Sequence, residues 1–235
     1  MTHNEREVKN QMNILVFDTE TTNLEKPFCY NIGYVIANTE TKEVLARKEF
    51  VVEQIWHNQE LFATSYYATK KPLYVSRTRA KAIKMEKLGY ITQELIRDIK
   101  TYEIEQVYAY NSPFDQKVFD FNSEWYKIIN PLDYVQVFDI RGYVHEFLAE
   151  TEEYQDFCDT HQLYTESGNY STTAETVFRY ITKSVEFEEE HTALADSEIE
   201  LEILFHCIEL GARFGEHYAV KRTIERDVEK HMGVV

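Results

Sequence analysis

The sequence predicts an α/β fold, one mixed five-stranded sheet flanked by helices. Three observations predict it. Stretches rich in β-branched and aromatic residues come early, at 13–18, 28–38 and 43–52. Helical periodicity then alternates with two more short apolar runs, 105–111 and 135–140. No internal repeat and no Pro-, Gly- or Ser-rich linker divides the 235 residues. A single domain over 1–235 is therefore expected, with its core at about 13–210 and a short tail at 221–235.

The elements follow in order. Ile14 to Phe17 form a continuous apolar run, which suits a strand covered on both faces. It ends in Asp18 and Glu20, two residues apart. In an extended chain that spacing puts both carboxylates on one side. Residues 28–38 and 43–52 are joined by the polar turn 39–42, so an antiparallel hairpin is expected. From about residue 58 the pattern turns helical, and Gly89 separates one helix from the next. Ile91, Leu95 and Ile99 recur every fourth residue, as on the buried face of an amphipathic helix. Residues 105–111 read as the fourth strand, Pro113 as a turn and 114–125 as a helix. Residues 135–140 read as the fifth strand and 141–150 as a helix. The acidic stretch 150–170 is expected to be loop and irregular helix. Residues 173–181 and about 192–210 read as helices, the last with Gly211 placed to cap it.

Apolar residues make up 43% of the chain, enough for a sizeable core and too many for a disordered chain. No run approaches the ~18 apolar residues of a membrane span. Residues 1–11 are polar and do not read as a signal peptide. Cys29, Cys158 and Cys207 are odd in number and far apart. They argue against a disulfide framework or a cysteine zinc site, and a reducing, cytoplasmic setting is expected.

The net charge of −16 taken alone argues against a polyanionic partner. The charge is unevenly spread, however. Lys70, Lys71, Arg77, Arg79, Lys81, Lys84 and Lys87 crowd one short segment, opposed only by Glu86. Arg77, Lys81 and Lys84 have the i, i+4, i+7 spacing of one helical face. Tyr66, Tyr67 and Tyr74 lie alongside, and cations mixed with aromatics suit single-stranded nucleic acid. Lys81 and Lys84 are thus expected to track a strand.

Three stretches carry chemistry. Asp18 and Glu20 repel each other and need a compensating positive charge. A divalent ion supplies it, and oxygen-only ligands suit Mg²⁺ or Mn²⁺. Asn111 and Asp115 follow the fourth strand, with Asp115 at a helix start, where Asp commonly serves as a cap. His191 and Asp196 open the last long helix. Five residues along one helix is about 140° of rotation, so the two side chains converge only if His191 precedes the helix.

In that order, Phe17-Asp-Thr-Glu-Thr-Thr22, Asn111-Ser-Pro-Phe-Asp115 and His191-Thr-Ala-Leu-Ala-Asp196 resemble the three motifs of the DEDDh group of 3′–5′ exonucleases. These are the type of the DnaQ-like proofreading subunits and RNase T, on a ribonuclease H-like fold. The resemblance spans roughly 13–210, with only the motifs specific. It implies an enzyme that releases nucleoside monophosphates from the 3′ end of single-stranded nucleic acid, DNA favoured, using two divalent ions, Mg²⁺ or Mn²⁺. Asp18, Glu20 and Asp196 would hold the first ion. Asp18 would bridge to the second, with Asp115 acting through water. His191 would be the general base. Backbone at Thr21 and Thr22 would contact the terminal nucleotide, Leu24 and Phe28 would pack on its base, and Asn111 would lie beside the substrate.

Glu188, Glu189 and Glu190 would favour a charged His191, so they are expected to point to solvent. Two departures from the family pattern stand out. Asn23 follows Thr22 where Gly is common, and Asn tolerates left-handed backbone. Tyr110 stands where the second motif often begins with His. Neither is a metal-ligand position. The alternatives are an RNA 3′-processing exoribonuclease and a catalytically inactive binding module. The complete carboxylate set argues against the second. The short tail leaves little room for a polymerase-binding segment, so a free-standing nuclease is expected. Whether the chain forms a homodimer stays open.

Overall fold

In the computed structural model, residues 12–217 are described. The polar stretch 1–11 and the expected tail at 221–235 lie outside the described residues. Among these residues the sheet has six strands, not five, in the order β4 (Lys84–Glu86), β3 (Val44–Val52), β2 (Cys29–Asn38), β1 (Asn13–Thr21), β5 (Gln106–Ala109) and β6 (Gln136–Asp139). β1 pairs antiparallel with β2, and β2 pairs antiparallel with β3. β5 and β6 run parallel to β1 on its other side. The sixth strand is β4, parallel to β3 at the edge. Three residues are too few to show a period, which is why the sequence hid it.

Between β3 and β4 the expected helical stretch is broken into α1 (Glu53–Trp56), α2 (Gln59–Phe62) and α3 (Lys71–Arg79). α3 stops at Arg79, and Lys81 turns through left-handed backbone at φ 59°. Arg77, Lys81 and Lys84 therefore share no helical face. Gly89 does not separate one helix from another. It is the second residue of α4 (Leu88–Thr101), which follows β4. α5 (Ser112–Tyr126), α6 (Ile140–Phe147), α8 (Ala174–Thr182) and α9 (Ala193–Glu209) fall close to where expected, and Gly211 follows α9 at φ 112°. The stretch 150–170 is more regular than expected. α7 (Glu152–His161) forms there, capped by the Thr151 hydroxyl and carrying two glutamates in its first turn, where the helix dipole favours them.

Alternation along β1 divides the core into two layers. Leu15 and Phe17 face the layer that includes Ile91 and Leu95 of α4 and Val118 and Phe119 of α5. Ile14 and Val16 face the layer that includes Tyr143 and Val144 of α6, Cys158 of α7, Val177 of α8 and Leu204 of α9. With both faces covered, Ile14 to Phe17 of β1 and Tyr34 to Ala37 of β2 are buried and apolar without a break, as the continuous run predicts.

One glycine sets how closely α9 approaches the sheet. Gly33 on β2 lies opposite Asp18 on β1. The start of α9 rests directly on it: a Cβ on Gly33 would lie 2.0 Å from the Leu194 backbone nitrogen. Ala193 N–H donates to Asn31 Oδ1 at 2.8 Å, and the Ser197 hydroxyl donates to the Gly33 carbonyl at 3.1 Å. This contact draws Asp196 toward Asp18. Gly33→Ala should cost more than ~3 kcal/mol, beyond the usual ~1–3 for overpacking, because the obstacle is backbone. Thermal melting should show a drop of roughly 6–12 °C. Gly89→Ala is the control, since among the described residues its Cβ meets only Ile128 Cγ2 at 3.6 Å. Equal melting of Gly33→Ala and wild type would refute the close approach.

Candidate active site

β1 delivers Asp18 and Glu20 at the end of the sheet where the parallel strands terminate. This is where α/β sheets ordinarily bind ligands. α9 delivers Asp196 from its first turn. One carboxylate oxygen from each of Asp18, Glu20 and Asp196 lies within 4.8 Å of the others. Asp196 Oδ1 is buried and has no hydrogen-bond partner among the described residues. Three convergent carboxylates, one of them with an orphaned buried oxygen, are what a divalent ion satisfies, so the donor set fits Mg²⁺ or Mn²⁺.

Asp115 comes from the first turn of α5 and is fully enclosed. Its Oδ1 accepts the Thr19 hydroxyl at 2.6 Å, which ties it to β1. Asn111 precedes it in left-handed backbone at φ 60°. Its N–H donates to Asp139 Oδ1 at 2.9 Å, joining the ends of β5 and β6.

The electrostatics follow from crowding. Asp18 keeps an opening to solvent, yet the protein packed around it pushes its carboxyl up to about 7. Burial and the charges of Asp18 and Glu189 push Asp196 up to about 10. Glu20 and Asp115 are raised well above their ordinary values by burial and then by Asp18. Without a cation this cluster holds protons that free carboxylates would have released.

His191 precedes α9 in left-handed backbone at φ 54°, so it does sit before the helix, as convergence requires. Burial and the Lys70 ammonium lower its pKa, with Glu175 opposing, which leaves the ring neutral at pH 7. The glutamates before it depart from expectation. Only Glu188 is exposed. Glu190 pairs with Arg77 at 2.5 Å. Glu189 turns inward, with an oxygen 3.6 Å from His191 Nδ1, and burial pushes its carboxyl to about 7. Partial neutralisation at that value limits how strongly it can hold His191 charged.

The remaining expected positions divide. Leu24 is 71% exposed, while Phe28 is buried edge-on against Trp125 at 5.1 Å. Thr22 is fully buried, its N–H donating to the Phe28 carbonyl at 3.0 Å, and Thr21 is half-buried. Asn23 does not need left-handed backbone. Its Oδ1 accepts the Lys26 N–H at 2.8 Å and closes the turn that way. Lys81 and Lys84 are exposed. Lys84 lies on β4, three strands from β1, or about 14 Å at ~4.8 Å per strand.

Sequence reasoning missed Glu200. It lies one turn beyond Asp196 on α9 and is 3% exposed. It accepts the Tyr110 N–H at 3.1 Å, and its carboxyl is raised well above the ordinary value by burial, then by Asp18 and Asp115. The i, i+4 spacing from Asp196 was the available signal.

The arrangement defines a carboxylate-centred site on an α/β, ribonuclease H-like sheet. No protein-family model and no curated protein matches the chain. Solved structures do. It is similar to the nuclease domain of 3′hExo, a DEDDh family member, bound to rAMP, with TM-score 0.55 and 13% identity over 86% of this chain and 94% of that one. It is similar to a full-length 3′-exonuclease, with TM-score 0.58 and 13% identity over 85% and 82% of the two chains. E. coli exonuclease I in complex with a dA16 oligonucleotide gives TM-score 0.51 and 14% identity over 82% of this chain, which spans 40% of that one. The fold is that of the DEDDh-type exonucleases. No helix among the described residues is long and apolar enough to cross a membrane.

Proposed function

We propose that the protein is a 3′–5′ exonuclease that hydrolyses single-stranded nucleic acid from its 3′ end, releasing nucleoside monophosphates, with DNA favoured. One observation carries this reading. Asp18, Glu20 and Asp196 each bring an oxygen within 4.8 Å of the others, and among the described residues the buried Asp196 Oδ1 has no hydrogen-bond partner, while Asp115 is tied to β1 through Thr19 and His191 stands just before α9. Two divalent ions, when bound, would neutralise charge on the phosphodiester and activate a water. Asp18, Glu20 and Asp196 would hold one, Asp18 would reach the second, and Asp115 would support it through water. His191, neutral near pH 7, would take the water's proton. Leu24, exposed at the edge of the site, would meet the terminal base, with Phe28 behind it and the backbone of Thr21 and Thr22 beside it. Asn111 would lie on the other flank. Lys81 and Lys84 would reach only a longer strand.

The RNA reading has its own support. 3′hExo is described bound to rAMP, and another solved relative concerns 3′-end recognition of the histone mRNA stem-loop by a 3′-exonuclease. Digestion of end-labelled single-stranded DNA, duplex DNA and RNA with Mg²⁺, Mn²⁺ or EDTA separates the two. Stepwise 3′ shortening that EDTA abolishes is the expected result. No shortening of any substrate with either ion would overturn the proposal.

His191→Ala should lower turnover by roughly 10²–10⁴, the range for losing a general base, and leave strand binding little changed. Steady-state kinetics check this. Unchanged turnover would remove His191 from the chemistry.

A further inference from the structure

The segment between β3 and β4 holds the loop that carries His191. The Tyr67 ring lies 4.2 Å from the imidazole, centre to centre, with the planes 15° apart. Glu189 lies 3.6 Å from Nδ1, and its own N–H donates to Glu175 Oε2 at 2.9 Å. The loop backbone is held as well. Lys70 Nζ donates to the Glu190 carbonyl at 2.7 Å. Arg77 bonds Glu190 and donates to Thr192 Oγ1 at 3.4 Å. The Tyr74 hydroxyl lies 2.9 Å from Asn31 Oδ1 and 3.4 Å from the His191 carbonyl, within reach to donate to either.

These contacts have a reason to exist. His191 is in left-handed backbone, which costs a non-glycine residue about 1–3 kcal/mol and persists only where the surroundings enforce it. With Nδ1 turned toward Glu189, Nε2 is the nitrogen left to take a proton. The ring plane then decides where Nε2 points, and the face of Tyr67 fixes that plane.

We propose that Tyr67 is a positioning residue, its stacked ring holding the His191 imidazole in the orientation that accepts a proton. The inference rests on the nuclease reading above. It also gives the basic, aromatic segment a role different from tracking a strand. Lys70, Tyr74 and Arg77 spend their polar groups on the His191 loop, and Lys71 lies over the Trp56 and Phe62 rings at 5.2 and 4.6 Å.

The test is a mutant cycle on a 3′-labelled single-stranded oligonucleotide with Mn²⁺. Tyr67→Ala should lower kcat by roughly 10–100-fold, since misplacement by about 1 Å can cost ~10²-fold, with KM changed less than about twofold. Tyr67→Phe keeps the ring and should recover most of the loss. In a His191→Ala background, Tyr67→Ala should cost nothing further, because the two residues act as a unit. A second readout does not need activity. In proton NMR, the His191 ring protons, assigned by comparison with His191→Ala, should move downfield in Tyr67→Ala as the tyrosine ring current is lost, and stay in place in Tyr67→Phe. Wild-type kcat in Tyr67→Ala, a full additive loss on His191→Ala, or a loss in Tyr67→Phe as large as in Tyr67→Ala would each overturn the proposal. If wild type cuts nothing while the NMR shift appears, the nuclease reading fails and the stacking stands. If wild type cuts and the shift is absent, the positioning role fails alone.

Discussion

Asp18→Asn should abolish hydrolysis and at the same time make the metal-free protein more stable. The first effect follows from position. Asp18 is the carboxylate shared by the proposed ion sites, and losing one preorganised electrostatic stabiliser costs about 10²–10³ in rate. A residue serving both ions should cost more, so a loss above ~10³-fold is expected. The second effect follows from crowding. After burial, the charge of Asp18 is the next cause that raises Glu20, Asp115, Asp196 and Glu200, and it adds to burial and Glu175 at Glu189. Asparagine keeps the volume and removes the shared source of repulsion. A gain of about 1–3 kcal/mol in EDTA is expected, the usual signature of a site that trades stability for function. Melting and digestion assays on the same preparation measure both. Retained cleavage, or a variant that melts below wild type in EDTA, would contradict the site as described.

The second large effect is on stability against pH. The unfolded chain releases carboxyl protons near pH 4. The folded chain keeps them longer, up to about 7 at Asp18 and about 10 at Asp196. Between these limits the folded state binds more protons, so the slope of unfolding free energy with pH is negative. The stabilisation is fully present below about pH 4 and is lost as pH rises through 7 and toward 10. In EDTA the protein should therefore lose a few kcal/mol, roughly 10 °C in Tm, between pH 5.5 and 8.5. Mg²⁺ or Mn²⁺ should reverse this, raising Tm most at the alkaline end, because a ligand that binds only the folded state stabilises it. A Tm in EDTA that stays flat or climbs over that range, or one that divalent ions leave unmoved at pH 8.5, would show that the carboxylates are not crowded as described.

Much of this site was legible because its components are local. Asp18 and Glu20 close an apolar strand, Asp115 opens a helix after another strand, and His191 and Asp196 straddle a helix start. Each leaves a short signature, and their order does the rest. What stayed hidden depends on tertiary contact. Glu200, beyond its i, i+4 spacing from Asp196, looks like any charged helical residue until the Tyr110 N–H just past β5 is seen to donate to it. Glu189 sits in a run of glutamates that reads as solvated, and only its place beside His191 turns it inward. The Arg77, Lys81, Lys84 spacing suggested one face of a helix that ends at Arg79. Glu152 and Glu153 after Thr151 were a readable helix start, obscured by the acidity of the stretch around them.

The resting of α9 on Gly33 bears on how the protein is made. The bonds that dock the helix join residues 162 and 164 positions apart. Contacts so distant in sequence are closed late and slowly. Synthesis at about 5–20 residues per second leaves the first strands waiting roughly ten to thirty seconds before Asp196 is added. During that interval the nascent chain carries Asp18 and Glu20, and then Asp115, without Asp196. On the nuclease reading proposed above, a ribosome-bound chain stalled before Asp196 should therefore be unable to cut a 3′-ended strand.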